Sequence, residues 1–113
     1  MNKKKILRKS EDFSNIISTK QNYKNKYFSV YYKESTNTLY GITVPKKIGI
    51  AVLRNKIKRQ VKNIISNNEK YIHSNYNYVI IIKEPSLKLD YEGLTNNLLE
   101  LMKKVGTKWK KEK

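Results

Sequence analysis

The chain has 113 residues, 38% of them hydrophobic and none of them cysteine, with a formal net charge of +16 at pH 7 and a sequence pI near 10.0. That length supports one domain with a modest core, and the missing thiols exclude a disulfide framework and a thiolate metal site. So large a charge on so small a chain favours a polyanionic partner, nucleic acid before an anionic membrane surface.

The longest apolar run, Tyr78 to Ile82, falls far short of the roughly 20 residues of a membrane span. The basic N-terminus has no apolar stretch behind it of the kind a secretion signal needs. The expected location is therefore the cytoplasm, with no membrane partner. The whole chain reads as a single nucleic-acid-binding domain, in which the basic ends, residues 1–9 and 107–113, are expected to be mobile until a partner orders them.

Ser10 is placed to cap a helix over roughly residues 10–19, with Glu11 and Asp12 in the first turn where the helix dipole favours acids. Phe13, Ile16 and Ile17 make its apolar stripe. Gln21 to Lys26 is polar and without period, and reads as a loop. Tyr27 to Lys33 is aromatic and β-branched and reads as a strand, Phe28, Val30 and Tyr32 on one face and Tyr27, Ser29 and Tyr31 on the other. Glu34 to Thr38 is a turn and Leu39 to Val44 a second strand, so an antiparallel hairpin is expected.

Lys46 to Ala51 is a basic loop with Gly49 as its sharp turn. A helix over roughly residues 53–71 follows, given by its 3.6-residue apolar period. Tyr78 to Ile82 shows no polar alternation, the pattern of an interior strand covered on both faces. Asp90 can cap a last helix whose apolar face is Tyr91, Leu94, Leu98, Leu101, Met102 and Val105, with Gly106 placed to end it. These elements make an α/β sandwich of helices on one sheet.

The informative stretch runs from Val44 to Ile65. It holds seven cations and no carboxylate, within a longer acid-free span from Ser35 to Asn68. Ile57, Val61, Ile64 and Ile65 fall on one helical face. Arg54, Lys58 and Lys62 form a ridge, Arg59 lies nearly opposite the apolar face, and Lys56 lies beyond it, so the cations cover a wide arc. Only three of the 25 cations are arginines, and two of those, Arg54 and Arg59, fall here. Guanidinium forks suit phosphate oxygens and base edges in a way that an ammonium does not. Asn55 can serve as a helix cap or a polar contact. A merely solvated basic face would not require the acid-free approach or the loop lysines Lys46 and Lys47.

The segment Lys46-Lys47-Ile48-Gly49-Ile50-Ala51-Val52-Leu53-Arg54-Asn55-Lys56-Ile57-Lys58-Arg59 resembles a signature of the protein subunit of bacterial ribonuclease P, Lys-Lys-x-Gly-Asn-Ala-Val-x-Arg-Asn-Arg-x-Lys-Arg. Ile50 stands where that family usually has Asn, and Lys56 stands where it has a second Arg. Leu7 to Phe13 resembles the family's approach to its first helix, and Tyr40 to Lys47 its strand leading into the signature. Tyr78 to Lys83 and the segment from Asp90 onward resemble its late strand and last helix.

The resemblance implies an α+β, αβββαβα sandwich (ribosomal-protein-S5-domain-2-like). Its helices pack on a mostly antiparallel sheet with one parallel, left-handed crossover and one more strand than the sequence shows. It implies a subunit that binds a catalytic RNA and the 5′ leader of precursor tRNA, assisting endonucleolytic removal of the leader. The active site and the Mg2+ requirement then belong to the RNA, and the protein carries no catalytic residue or metal site of its own. It places RNA-subunit contacts at Lys46, Lys47, Arg54, Asn55, Lys56, Lys58, Arg59 and Lys62. It places the leader-binding cleft at Phe13, Ile17 and Tyr31, Ile17 standing where Phe is frequent.

The residues alone agree with that division of labour. His73, the one histidine, lies in a polar stretch and reads as a surface side chain, and no carboxylates have metal-ligand spacing. No protein partner is evident. A small basic ribosomal or other structural RNA-binding protein is the alternative; it needs the charge but not the pairing of signature and aromatic cleft. A nucleic-acid chaperone or a stand-alone nuclease is a third, weaker one.

Overall fold

The computed structural model describes Ile6, Leu7 and residues 10–105. Along the chain come helix α1 (Ser10–Ser18), strands β1 (Asn22–Lys24), β2 (Phe28–Glu34) and β3 (Leu39–Thr43), helix α2 (Ala51–Asn67), strand β4 (Tyr76–Ile82) and helix α3 (Tyr91–Met102). Short 3-10 turns cover Lys46–Ile48, Glu69–Tyr71 and Glu84–Lys88. The four strands form one sheet in the order β1-β2-β4-β3. β1 with β2 and β2 with β4 run antiparallel, whereas β3 with β4 run parallel.

The sequence reading of β2 and β3 as a hairpin is overturned, because β4 lies between them. The run Tyr78 to Ile82 explains the insertion. Tyr78, Val79, Ile80 and Ile82 are fully buried, a state open only to a strand flanked and covered on both sides. The segment expected to turn the hairpin instead clasps the start of β4: the Ser35 N–H donates to the Asn75 carbonyl, and the Asn75 N–H to Thr38 Oγ1. Asn75 takes φ 66° there, a left-handed conformation that Asn tolerates better than most residues.

The expected loop at Gln21–Lys26 contains the short edge strand β1. Only Tyr23 of its three residues points to the core side, stacking on Tyr32 at 5.7 Å between ring centroids. Asn25 shapes the connection to β2. Its side-chain oxygen accepts from the N–H groups of Tyr27 and Phe28, and its amide donates to the Asn97 carbonyl on α3.

The sheet buries both faces. On one, Phe28, Val30, Tyr40, Ile42, Tyr78, Ile80 and Ile82 meet Ile57, Val61, Ile64 and Ile65 of α2, and Leu94, Leu98, Leu101 and Met102 of α3. Burial of the four α2 side chains is worth about 1.5–3 kcal/mol each. The like-charge neighbours Arg54–Lys58 and Lys58–Lys62 each cost about 0.2–0.5 kcal/mol. Packing therefore holds this cationic helix in place against its own repulsion.

α2 begins at Ala51 rather than Leu53 and stops at Asn67 rather than near Tyr71. Asn68 ends it, donating its side-chain amide to the Ile64 carbonyl and its backbone N–H to that of Ile65. Asp90 caps α3 as expected, accepting from the Gly93 N–H at 2.8 Å. Tyr91 departs from the expected apolar face and is exposed. Gly106 and the basic tail lie outside the described residues.

α1 lies across the opposite face. A second cluster there unites buried Leu7, Ile16 and Val79 with half-buried Phe13, Ile17, Tyr31, Leu39 and Ile81. α1 runs from β3, where the Phe13 ring tip lies over Gly41, to β2, where Thr19 Oγ1 lies 3.3 Å from the Tyr32 carbonyl. Ile6 and Leu7, assigned to a mobile basic end by sequence, are held at the β3 edge. Leu7 donates its N–H to the Tyr40 carbonyl, and its side chain is buried.

Candidate nucleic-acid interface

α2 presents the predicted arc. With its apolar side buried, Lys56 and Arg59 are exposed, and Arg54, Lys58 and Lys62 are half-buried at the flanks. Lys46 and Lys47 are exposed on the preceding 3-10 turn, which buried Ile48 anchors to the core. Gly49 is not the sharp turn expected from the sequence: its backbone is extended (φ 167°, ψ −173°), and the bend is made by the turn from Pro45, whose carbonyl accepts the Ile48 N–H. The first turn of α2 holds no acid, and its N-cap, Ile50, offers no side-chain acceptor. The helix dipole thus adds its positive end to the cations around it.

Two expected α2 residues have more specific surroundings. Arg54 Nε donates to the Gly49 carbonyl at 3.1 Å, so part of its guanidinium holds the loop rather than facing outward. Asn55 is not a cap, because it stands inside the helix and is exposed. Arg54, Asn55 and Lys58 line a polar cavity of about 180 Å3 together with Ile42, Thr43 and Val44.

Phe13, Ile17 and Tyr31 are brought together by the second cluster, each half-buried. The sheet register explains the pairing with the strands. Gly41, Val79 and Tyr31 are direct cross-strand neighbours and form a row under α1. The adjacent row, Thr43, Ile81 and Ser29, continues the face beyond it. Tyr27 does not share this surface as predicted. It precedes β2 and packs against the core on the α2 and α3 side of the sheet.

Sequence reasoning missed Gly41 and Ile81. Gly41 leaves room for the Phe13 ring, since a Cβ there would lie 2.6 Å from Phe13 Cζ. Its alternation with the core-facing Tyr40 and Ile42 was the available signal. The two surfaces occupy opposite faces of the sheet and meet at β3: Gly41 lies beneath Phe13, and Ile42 and Thr43 border the cavity of Arg54 and Lys58.

The remaining polar chemistry is structural. His73 is half-buried, and its carbonyl accepts the Tyr78 hydroxyl. Tyrosines line the core side in sequence, Tyr32 edge-on to Tyr76 and Tyr78 stacked on Tyr40 at 5.5 Å. Burial pushes the Tyr40 phenol up to about 12, with the charge of Glu69 adding to it. Burial and then neighbouring Tyr23 push Tyr32 up to about 12, and burial raises Tyr78 further. Among the described residues no group of acidic, histidine or cysteine side chains could hold a metal ion, and no helix is long and apolar enough to cross a membrane.

A family model described as Ribonuclease P matches residues 1–106. The ribonuclease P protein component of Mycoplasma mycoides is 38% identical over 108 residues, covering 93% of this chain and 99% of the relative. That of Bacillus cereus is 34% identical over 111 residues, covering 96% of each. Among solved structures, the RNase P protein from Thermotoga maritima superposes with a TM-score of 0.82 at 30% identity, covering 88% of this chain and 96% of that one. The Staphylococcus aureus RNase P protein gives 0.80 at 28% identity, covering 88% and 93%. The order of elements, the mixed sheet and the match across residues 1–106 agree: the chain belongs to the ribonuclease P protein family.

Proposed function

We propose that this chain is the protein subunit of ribonuclease P, that its α2 arc binds the RNA subunit, and that the α1–sheet cluster receives the 5′ leader of precursor tRNA. The observation that carries this reading is the junction of the two surfaces at β3: an acid-free cationic helix on one side and half-exposed Phe13 and Tyr31 on the other. Lysines and arginines neutralise phosphates of a folded RNA. Aromatic rings stack on the bases of a single strand with little sequence preference, which suits a leader that differs from one precursor to the next. Phosphodiester hydrolysis, with its Mg2+, belongs to the RNA in this reading; the protein positions the substrate and screens the repulsion between two RNAs. The cytoplasm is the corresponding location.

Reconstitution tests it. Mixed with a bacterial ribonuclease P RNA and precursor tRNA at low Mg2+, the protein is expected to raise the rate of leader removal. No gain, where the B. cereus relative gives one, would overturn the assignment. Tyr31→Ala is expected to weaken precursor tRNA binding more than mature tRNA binding. Equal losses would rule out a leader-specific role for that ring.

A further inference from the structure

A second concave surface lies away from the leader-binding cluster and adjoins the α2 arc at Lys56, at the end of the sheet where β3 and β4 finish and β2 begins. Two cavities share Leu89 as a common wall. One, of about 380 Å3, has Tyr27 and Pro85 with exposed Lys26, Glu84 and Lys88. The other, of about 260 Å3, has Leu53, Ile57 and Leu87 with exposed Lys56. Adjoining at Leu89, they form a trough whose lining is part apolar and part charged. It runs from the turn before β2, past the Glu84–Lys88 turn, to the first turns of α2. At the α2 end Leu53 is 46% exposed, beside Val52 at 71% and Ile50 at 68%. Of these only Leu53 lines the trough; three large apolar side chains left open within four residues on so charged a chain favour a surface that something covers.

Charge selects the occupant. Three lysines, Lys26, Lys56 and Lys88, border the trough against the single carboxylate of Glu84. A second copy of a chain with net charge +16 would meet its own repulsion there. Tyr27 is half-exposed with the Lys26 ammonium 6.0 Å from its ring centroid. An aromatic face beside a cation is the pairing that holds a base by stacking and its phosphate by charge. The two volumes are of the order of one nucleotide each. We propose that this trough binds an unstacked, single-stranded segment of RNA, one base against Tyr27 and the next against Leu53 and Leu87, with the phosphates on Lys26, Lys88 and Lys56. The proposal rests on the RNA-binding reading given above and extends the α2 interface from Lys56 to Lys26, Tyr27 and Lys88, which neither surface described above includes.

The test uses the full chain and a bacterial ribonuclease P RNA, with affinity measured at several salt concentrations. Lys26→Ala/Lys88→Ala is expected to weaken binding about tenfold and to lower the salt slope by about 1.4, the value for two phosphates of a single strand. Tyr27→Ala is expected to weaken it between about fivefold and a hundredfold, as loss of one stack implies, with the slope unchanged. Tyr27→Phe keeps the stack and is expected to bind like the parent; should Tyr27→Ala fail to fold, Tyr27→Leu, which keeps an apolar side chain but loses the ring, is expected to show the same loss, and parent-like binding by it would overturn the stack. Parent-like affinity in the lysine pair, with Arg59→Ala still weakening RNA, would overturn the trough and leave the α2 interface standing. No effect from any of these variants, Arg59→Ala included, would overturn the RNA-binding reading itself. A trough that instead binds a Glu/Leu-rich amphipathic peptide, the lysine pair losing that peptide but not RNA, would also overturn the proposal.

Discussion

Gly41→Ala tests how α1 is seated and what that seat does for the leader. A Cβ at this position would lie 2.6 Å from Phe13 Cζ, 2.7 Å from Phe13 Cε2 and 3.1 Å from Leu7 Cδ1, whereas carbon atoms in contact prefer about 3.5–4.0 Å. Overpacking of this kind costs about 1–3 kcal/mol. Leu7 is 5% exposed and has nowhere to go, but the Phe13 contacts are with a ring tip that can swing toward solvent. The cost is therefore expected near the lower end, about 1–1.5 kcal/mol, roughly a tenfold change in the unfolding constant. The displaced ring carries the rest of the effect. Urea denaturation should show a lower midpoint at an unchanged slope, and binding assays should show the preference for precursor over mature tRNA reduced. Adding Phe13→Leu removes the clashing ring atoms, so it should recover stability without recovering that preference. Parent-like stability together with an unchanged precursor preference in Gly41→Ala would refute the claim that this glycine seats Phe13.

Three further outcomes are expected. Asp90→Ala removes the acceptor for the Gly93 N–H and should cost about 1 kcal/mol, read as a lower urea midpoint; an unchanged midpoint would show that the cap contributes nothing. Arg59→Ala should weaken RNA binding and flatten the salt dependence with the melting temperature unchanged. Arg54→Ala should in addition lose about 1 kcal/mol of stability, because the Gly49 carbonyl loses its donor; identical melting of the two variants would refute that difference. At high pH, the raised phenols of Tyr32, Tyr40 and Tyr78 hold their protons in the folded state above the pH, near 10, at which an unfolded tyrosine ionises. Their contribution to stability is complete below about pH 10 and is lost as pH rises, toward 12 for Tyr32 and Tyr40 and beyond that for Tyr78. Tyrosinate absorbance should therefore rise in two phases, the later one coinciding with loss of circular dichroism. A single phase near pH 10 with the fold intact would contradict the burial argument.

Much of this structure is written locally in the chain. The period of Ile57, Val61, Ile64 and Ile65 by itself places the cations of α2, and the unbroken run at Tyr78 to Ile82 announces an interior strand. What escaped was non-local. No feature between Glu34 and Leu39 says that β4, whose first residue is Tyr76, will enter between β2 and β3, because the decision lies in the burial needs of a strand far downstream. β1 escaped because three polar-flanked residues carry too little pattern, and its one inward ring, Tyr23, has meaning only opposite Tyr32. At the site, the α2 positions and the grouping of Phe13, Ile17 and Tyr31 were legible through the family resemblance. The tether from Arg54 to Gly49 and the space left by Gly41 are contacts across the fold, with no signature in spacing.

The position of β4 has a consequence for the order in which the molecule assembles. β2 and β3 are neighbours in the chain but have no pairing with each other, and both depend on a strand that follows α2. A nascent chain that has reached only the end of α2 can form the β1–β2 ribbon, yet it lacks the strand that locks β3 to the sheet and completes the floor for Ile57, Val61 and Ile64. Loop closure over that distance is slow relative to local pairing. The cationic helix is thus fixed in its presenting orientation late, by a segment that carries none of its charge. A ribosome-tethered fragment ending before Tyr76 should hold no protected β3 amides, and protection should appear only once Ile82 has been added and has cleared the exit tunnel.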